Sequence, residues 1–417
     1  MKLVIFEDDQ FDHFLPLCWV RGVFELKSGS TTLAQKIERA AGVTVTALLV
    51  RDYLSPVLGK RHSAAINDLS KCRGEETVFV NARICGTGFK LPPQRVAMWQ
   101  GDRLAFWRTT DDITGIRDYA GLAAAAAKTD RAVFPGKWYD FIWDVMLGNP
   151  EEIVADFKAA GKSGVESELP ENSCIFGPRD QAFIAASAEV HPFVCIDTRH
   201  GPVTIEDGCE IHPFTRIEGP CYIGPKTILL GAKVREGCSF GPMCRIGGEV
   251  EESIVHGYSN KYHDGFLGHA YVGEWVNLGA LTSNSDLKND YSSVSVILGR
   301  EMIDTKSTKV GSFIADHVKT SIATLLNTGS VVGTMAILVA TGAPLPKYIP
   351  PFAWFLNGVV SKGFGLNGLI NTARTAMGRR KVEMTDMDEK LLRHVFELTS
   401  EDRMEHVRKG RRAMAKS

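Results

Sequence analysis

The chain has 417 residues, too many for one ordinary hydrophobic core, so two or three domains are expected. Its formal net charge of −1 excludes the strongly basic balance of a nucleic-acid-binding chain. Nine cysteines, scattered singly without a CxxC or Cys/His metal spacing, argue against both a disulfide scaffold and a zinc site. No apolar run approaches the roughly 20 residues of a membrane span. The first residues turn acidic at Glu7-Asp8-Asp9 before the apolar core of a signal peptide can form. The reading is a reduced, cytoplasmic protein without nucleic-acid or membrane partners.

Residues 1–170 alternate strand-like and helix-like segments. Leu3 to Phe6, Val43 to Val50, Thr77 to Ile84 and Leu104 to Trp107 are apolar or β-branched; residues 31–41, 115–128 and 151–161 look helical. That alternation predicts an α/β layer domain. The Ala-rich stretch Leu122 to Lys128 is expected to be a solvated helix. Trp138, Trp143, Asp144 and Asn149 read as packing residues at the domain edge. A polar, non-periodic stretch from Gly161 to Asn172 marks a boundary.

From there a six-residue beat takes over. Ile184, Val190 and Ile196 are followed by Ile205, Ile211, Ile217, Ile223 and Leu229, then by Val234, Phe240 and Ile246, and again by Phe266, Val272 and Leu278. Helices repeat every 3.6 residues and strands every 2, so a period of six fits neither. It is the signature of hexapeptide repeats in a parallel β-helix, here over residues 171–343. The beat breaks at 248–265 and at 285–309, and loops leaving a rigid scaffold are where sites are usually found. Residues 344–417 form a Pro-rich exit and an amphipathic helix from Asp386, with Leu391, Leu392, Val395 and Leu398 on one face. A basic end (Arg408, Lys409, Arg411, Arg412) follows.

The two breaks hold the segments Gly257-Tyr-Ser-Asn-Lys-Tyr-His-Asp-Gly-Phe-Leu-Gly-His269 and Asn277-Leu-Gly-Ala-Leu-Thr-Ser-Asn-Ser-Asp286. Together they resemble the bacterial bifunctional UDP-N-acetylglucosamine pyrophosphorylase/glucosamine-1-phosphate N-acetyltransferase family, and more closely its sugar nucleotidyltransferase relatives. The resemblance is specific over about 171–335. It implies a nucleotidyltransferase-like α/β domain, then a left-handed β-helix that forms a homotrimer and binds acetyl-CoA as co-substrate.

Residue roles follow from that resemblance. His263 matches the catalytic base that takes the amine proton during acetyl transfer, a task suited to a group titrating near neutrality. Asn284 and Asp286 stand at the family's Asn-Tyr-Asp element, with Ser285 in place of Tyr; they would hold the sugar, or Asp286 would hold the Nδ1 of His263. The bland alternative is that they only make a coil corner. Lys261, Lys288, Arg245 and Arg235 are candidates for sugar or CoA phosphates. His269 reads as structural, and Asn277 as a rung of an asparagine ladder. In the N-terminal domain Arg21 and Lys27 are the candidate nucleotide contacts. Glu7-Asp8-Asp9 would repel a triphosphate unless Mg²⁺ intervenes, and Asn81 lies where the family's metal-binding Asp is sought. Three readings remain: an N-acetyltransferase acting on an amino-sugar phosphate, a Mg²⁺-dependent sugar-1-phosphate nucleotidyltransferase, and a non-catalytic trimeric scaffold.

Overall fold

The computed structural model describes residues 1–85 and 91–415. Two compact units are present: Met1–Lys27 with Thr31–Ile142, and Ser28–Ser30 with the chain from Trp143 onward.

The first unit is the expected α/β layer. Leu3, Val4, Ile5 and Phe6 are all fully buried, as a strand covered on both faces requires. Strand Lys2–Phe6 lies parallel to Val45–Leu49 on one side and to Thr77–Asn81 on the other, and Ala65–Ile66 extends the parallel edge. Arg103–Thr109 then runs antiparallel to both Thr77–Asn81 and Val96–Gln100, with Asp130–Val133 at the far edge. Helix Leu33–Ala41 starts at a capping box: Gln35 N donates to Thr32 Oγ1 (3.2 Å) and Thr32 N to Gln35 Oε1 (2.8 Å). The Ala-rich helix, Tyr119–Ala126, corrects one expectation. It is solvated on one face only: Ala124, Ala127 and Lys128 are exposed, but Leu122 and Ala126 are fully buried in the same core as Phe79 and Trp107. Small side chains let this helix lie close on the sheet, so its apolar composition is packing.

The second unit is built around a parallel β-helix. Nine strands stack behind Gly164–Val165 in one continuous sheet, every neighbouring pair parallel. Register places Ile184 beside Ile205, then Ile223, Phe240, Val255, Val272, Ile314, Val332 and Ile349, one aliphatic or aromatic rung per coil. A second inner column runs Val190, Ile211, Leu229, Ile246. A third runs Ile196, Ile217, Val234, Val250, Leu267. The beat is therefore the inside of the shaft, and most of these residues are fully buried. Between Val272 and Ile314 the chain leaves the shaft to form an antiparallel hairpin, Ser295–Leu298 with Glu301–Asp304. The parallel ladder continues past Gly342 through Tyr348–Ile349 and Trp354–Leu356.

Three helices end the chain. Leu366–Gly378 carries no clear sequence signal. The segment expected as one helix from Asp386 is two, Asp386–Leu398 and Ser400–Met414, broken at Thr399. Leu391, Leu392 and Val395 are buried as expected, but Leu398, at the break, is 52% exposed. No helix among the described residues is long and apolar enough to cross a membrane.

Candidate active site in the interrupted coils

The inner columns of the shaft turn polar at Lys261 and Asn284, and again at Thr320, in register with Leu338. Lys261 pairs in register with Ile246, so it fills an inward rung where four aliphatic residues precede it. Asn284 pairs with Leu326, inward in the column that ends in Leu267. Lys261 is 4% exposed and Asn284 5%. Burying a charge or an amide in a dry core is costly unless its hydrogen bonds are made.

Both make them on backbone. Lys261 Nζ donates to the carbonyls of Gly247 (2.9 Å) and His263 (2.7 Å). Burial, with no close carboxylate strong enough to offset it, brings its pKa down to about 8. Asn284 Oδ1 accepts from Gly268 N and its Nδ2 donates to Gly268 O, both at 2.8 Å, so the amide replaces a missing backbone rung. Glycines make the room. A Cβ on Gly311 would meet Asn284 Nδ2 at 2.3 Å, and one on Gly248, whose φ is +66°, would meet Lys261 Nζ at 2.6 Å.

His263 sits in the loop that Lys261 braces. Its side chain is exposed, with its ring set edge-on to Tyr262 at 5.8 Å. His269, a few residues on, is different in kind. It is 2% exposed, with Nδ1 2.8 Å from Asp286 Oδ2 and Nε2 3.4 Å from Glu252 Oε2. Burial alone would depress its pKa, but the two carboxylates outweigh it and hold the imidazole up at about 9. His269 is therefore a cation at neutral pH. Asp286 binds this imidazole and not that of His263, which corrects one of its expected roles. Glu251, Glu252 and His269 bring donor atoms within 4.8 Å of one another, with Glu251 held by Arg235 and Lys309 and Glu252 by His269 itself.

The remaining candidates have partners of their own. Arg235 Nη1 is 2.7 Å from Glu251 Oε2, with Lys309 Nζ 3.1 Å from the other oxygen, so the guanidinium is committed to a salt-bridge cluster. Lys288 Nζ bonds Ser292 Oγ and lies 3.8 Å from Asp290, within the insertion. Arg245 Nη1 donates to the carbonyls of Lys226 (3.1 Å) and Cys244 (2.9 Å) on an outer face of the shaft. On that face Asn260 and Asn277 pair in register, and Asn260 Nδ2 donates to Asn277 Oδ1 at 3.0 Å, a short amide ladder.

In the N-terminal unit the acidic strand end is neutralised from within. Arg51 spans both oxygens of Glu7 at 3.1 Å, and Val23 N donates to Glu7 Oε1 at 2.8 Å. Arg83 grips Asp8 Oδ2 through Nε (3.0 Å) and Nη2 (2.5 Å), joined by Asn81 Nδ2 at 2.9 Å. Carboxylates so engaged, with an amide at position 81, do not fit a Mg²⁺ ion. Arg21 is buried, its Nη1 donating to Leu17 O at 3.1 Å; Lys27 is half-buried on a two-residue strand. Asn149 and Trp143 are packing residues of the second unit. Asn149 accepts from Gly29 N (2.6 Å) and Ser239 Oγ (3.1 Å), and Trp143 packs 6.4 Å from Phe313.

Comparison with known proteins agrees with the motifs. Residues 3–163 match the model of the sugar nucleotidyl transferase family. The bifunctional sugar-1-phosphate nucleotidylyltransferase/acetyltransferase of Sulfurisphaera tokodaii is 34% identical over 33% of this chain and 35% of its own length. The bifunctional protein GlmU of Polaromonas naphthalenivorans is 33% identical over 27% of this chain and 21% of its own. The chain thus spans about a third or less of the curated relatives it matches. Among solved structures, the UDP-N-acetylglucosamine acyltransferase of Francisella novicida is 15% identical over 51% of this chain and 76% of that one, at a TM-score of 0.25. PerB from Caulobacter crescentus, in complex with CoA and GDP-perosamine, is 15% identical over 87% and 97%, at a TM-score of 0.15. Overlaps this low carry no argument. Family match, curated relatives and interrupted coils agree: over part of its length this chain is similar to the bifunctional sugar nucleotidyltransferase/acetyltransferases.

Proposed function

We propose that the chain transfers an acetyl group from acetyl-CoA to the amine of an amino-sugar phosphate, in the β-helix, with His263 as the base. The amine nitrogen attacks the thioester carbonyl, the N–C bond forms, the C–S bond breaks and CoA leaves as its thiolate. His263 takes the proton that the nitrogen sheds. The observation that carries this reading is the polar pair inside the shaft. An aliphatic residue would pack better at 261 and at 284, yet Lys261 braces the carbonyl of the exposed His263, and Asn284 braces both backbone groups of Gly268, beside the buried His269. Such local departures from a fold's own pattern are expected at functional sites. His269 is unsuited to the role, because a cation has no lone pair to accept a proton. Lys261 is a positioning residue in this scheme, and the chain works as a homotrimer.

A second reading, nucleotidyl transfer to a sugar 1-phosphate, is favoured by the family match over residues 3–163. The engaged Glu7 and Asp8 speak against its metal. One preparation tests both. Thiol release from acetyl-CoA with amino-sugar phosphates should fall about a hundredfold or more in His263→Ala, while the melting temperature stays unchanged. Full activity in that variant would sink the acetyltransferase reading, and pyrophosphate release from a nucleoside triphosphate would establish the other.

A further inference from the structure

A cavity of about 490 Å³ lies between the outer face of the shaft and helix Leu366–Gly378, on the outward side of the strand whose Lys261 faces inward. Its floor is the outward column of Asn260, Asn277 and Lys319, which follow one another in register. Its roof comes from the helix and the turn after it, chiefly Thr375, Arg379 and Arg380. Tyr258 and Trp275, stacked at 4.4 Å, close one wall.

The charges in this cavity have one sign. No aspartate or glutamate is among its lining residues. Arg380 Nη2 donates to the neutral amide of Asn260 at 2.7 Å, and Lys319 Nζ to the carbonyls of Trp275 (2.5 Å) and His317 (3.2 Å). An ammonium has three hydrogens, so one remains for a ligand. Arg245, next below Asn260 in the column, adds a further positive charge. The mutual repulsion is felt: burial first, then Arg245 and Arg379, depress the pKa of Arg380, and burial brings Lys319 down to about 8. Cations gathered in a cleft with only neutral partners cost stability unless an anion joins them.

We propose that this cavity binds a diphosphate-bearing small molecule, whose oxygens would bridge Arg379 and Arg380 on the helix and Lys319 on the shaft. Guanidinium forks suit phosphate oxygens, and the Asn260 and Asn277 amides and the Thr375 hydroxyl add neutral donors. A diphosphate could come from coenzyme A or from a sugar nucleotide. Asn260 lies in the same segment as His263, but the charges that would hold the diphosphate, Lys319, Arg379 and Arg380, come from other elements, so the proposal does not depend on the role of His263.

The test is isothermal titration of the full chain with inorganic pyrophosphate. Saturable binding that weakens with added salt is expected, and it should be about tenfold or more weaker in Arg379→Gln/Arg380→Gln. Both arginines lie past the helix end, so the variant should fold, and His263→Ala should bind pyrophosphate as the parent does. Free coenzyme A and uridine diphosphate are then used as competitors. Displacement by either supports the proposal and identifies the source. No saturable binding, binding indifferent to the double variant, or displacement by neither competitor (an adventitious ion only) would overturn it.

Discussion

The acidic strand end of the N-terminal unit and the shaft of the β-helix both bury charge, but they neutralise it differently. Glu7 and Asp8 are matched by Arg51 and Arg83, charge for charge. Lys261 and Lys319 have only carbonyl dipoles. A saturated ion pair is finished: nothing further can bind without breaking it. An ammonium held by carbonyls keeps its net charge and part of its bonding capacity, and it titrates within reach of neutral pH. The first arrangement is architecture; the second leaves room for chemistry.

The largest effect is expected where the saturated arrangement is broken. Arg83→Ala leaves the buried Asp8 carboxylate with only neutral donors, Asn81 Nδ2 and Gln10 N, and loss of one partner of a buried pair costs about 3–5 kcal/mol. Calorimetry should show the transition of the first unit falling sharply while that of the β-helix stays in place. A shift in the β-helix transition instead would mean that the two units do not melt separately.

Next in size is His269, a buried shaft cation that does have carboxylate partners. Its pKa is raised, from an ordinary 6.5 to about 9. The stability it contributes is thus complete below pH 6.5 and is lost as pH rises towards 9. The melting temperature of the parent should fall across that window. His269→Gln should start lower by about 2–3 kcal/mol and be flat over the same range. A variant that keeps the slope would remove His269 from the account.

The smallest expected change in stability is the most discriminating. Lys261→Met returns an aliphatic side chain to the inner column, and replacing a buried charge by a well-packed apolar group is often neutral or stabilising by about 1 kcal/mol or more. Thiol release should nevertheless fall, because the carbonyl of His263 loses its donor. A variant that is both more stable and fully active would make Lys261 an accident of the fold.

Much of this was legible in the residues, for a physical reason. One side chain in six points into a triangular shaft, so the inner columns could be read straight from Ile184, Ile205 and Ile223 without knowing which coil stacks on which. The breaks in that beat likewise pointed to the coils around His263. What pairs across coils was not legible. Coil lengths vary, and the hairpin between Val272 and Ile314 resets the count, so the partnership of Asp286 with His269 needs three dimensions. The cavity over Asn260, Asn277 and Lys319 was hidden in the same way, because its roof is a helix with no clear sequence signal. The Ala-rich helix was misjudged because small apolar residues suit a close-packed helix and a solvated one alike.

The polar rungs also answer a problem peculiar to repetitive folds. A shaft whose rungs are all Ile, Val and Leu can be stacked one coil out of step with little loss, since every rung resembles the next. Lys261 and Asn284 end that degeneracy. Slipped by one coil, the Lys261 ammonium would face an aliphatic rung without the Gly247 and His263 carbonyls, and Asn284 would miss both groups of Gly268. Each would then be a buried, unsatisfied polar group, a penalty that no neighbouring rung offsets. The two residues thus work as a key cut into an otherwise featureless rod, fixing the one alignment in which the interrupted coils meet.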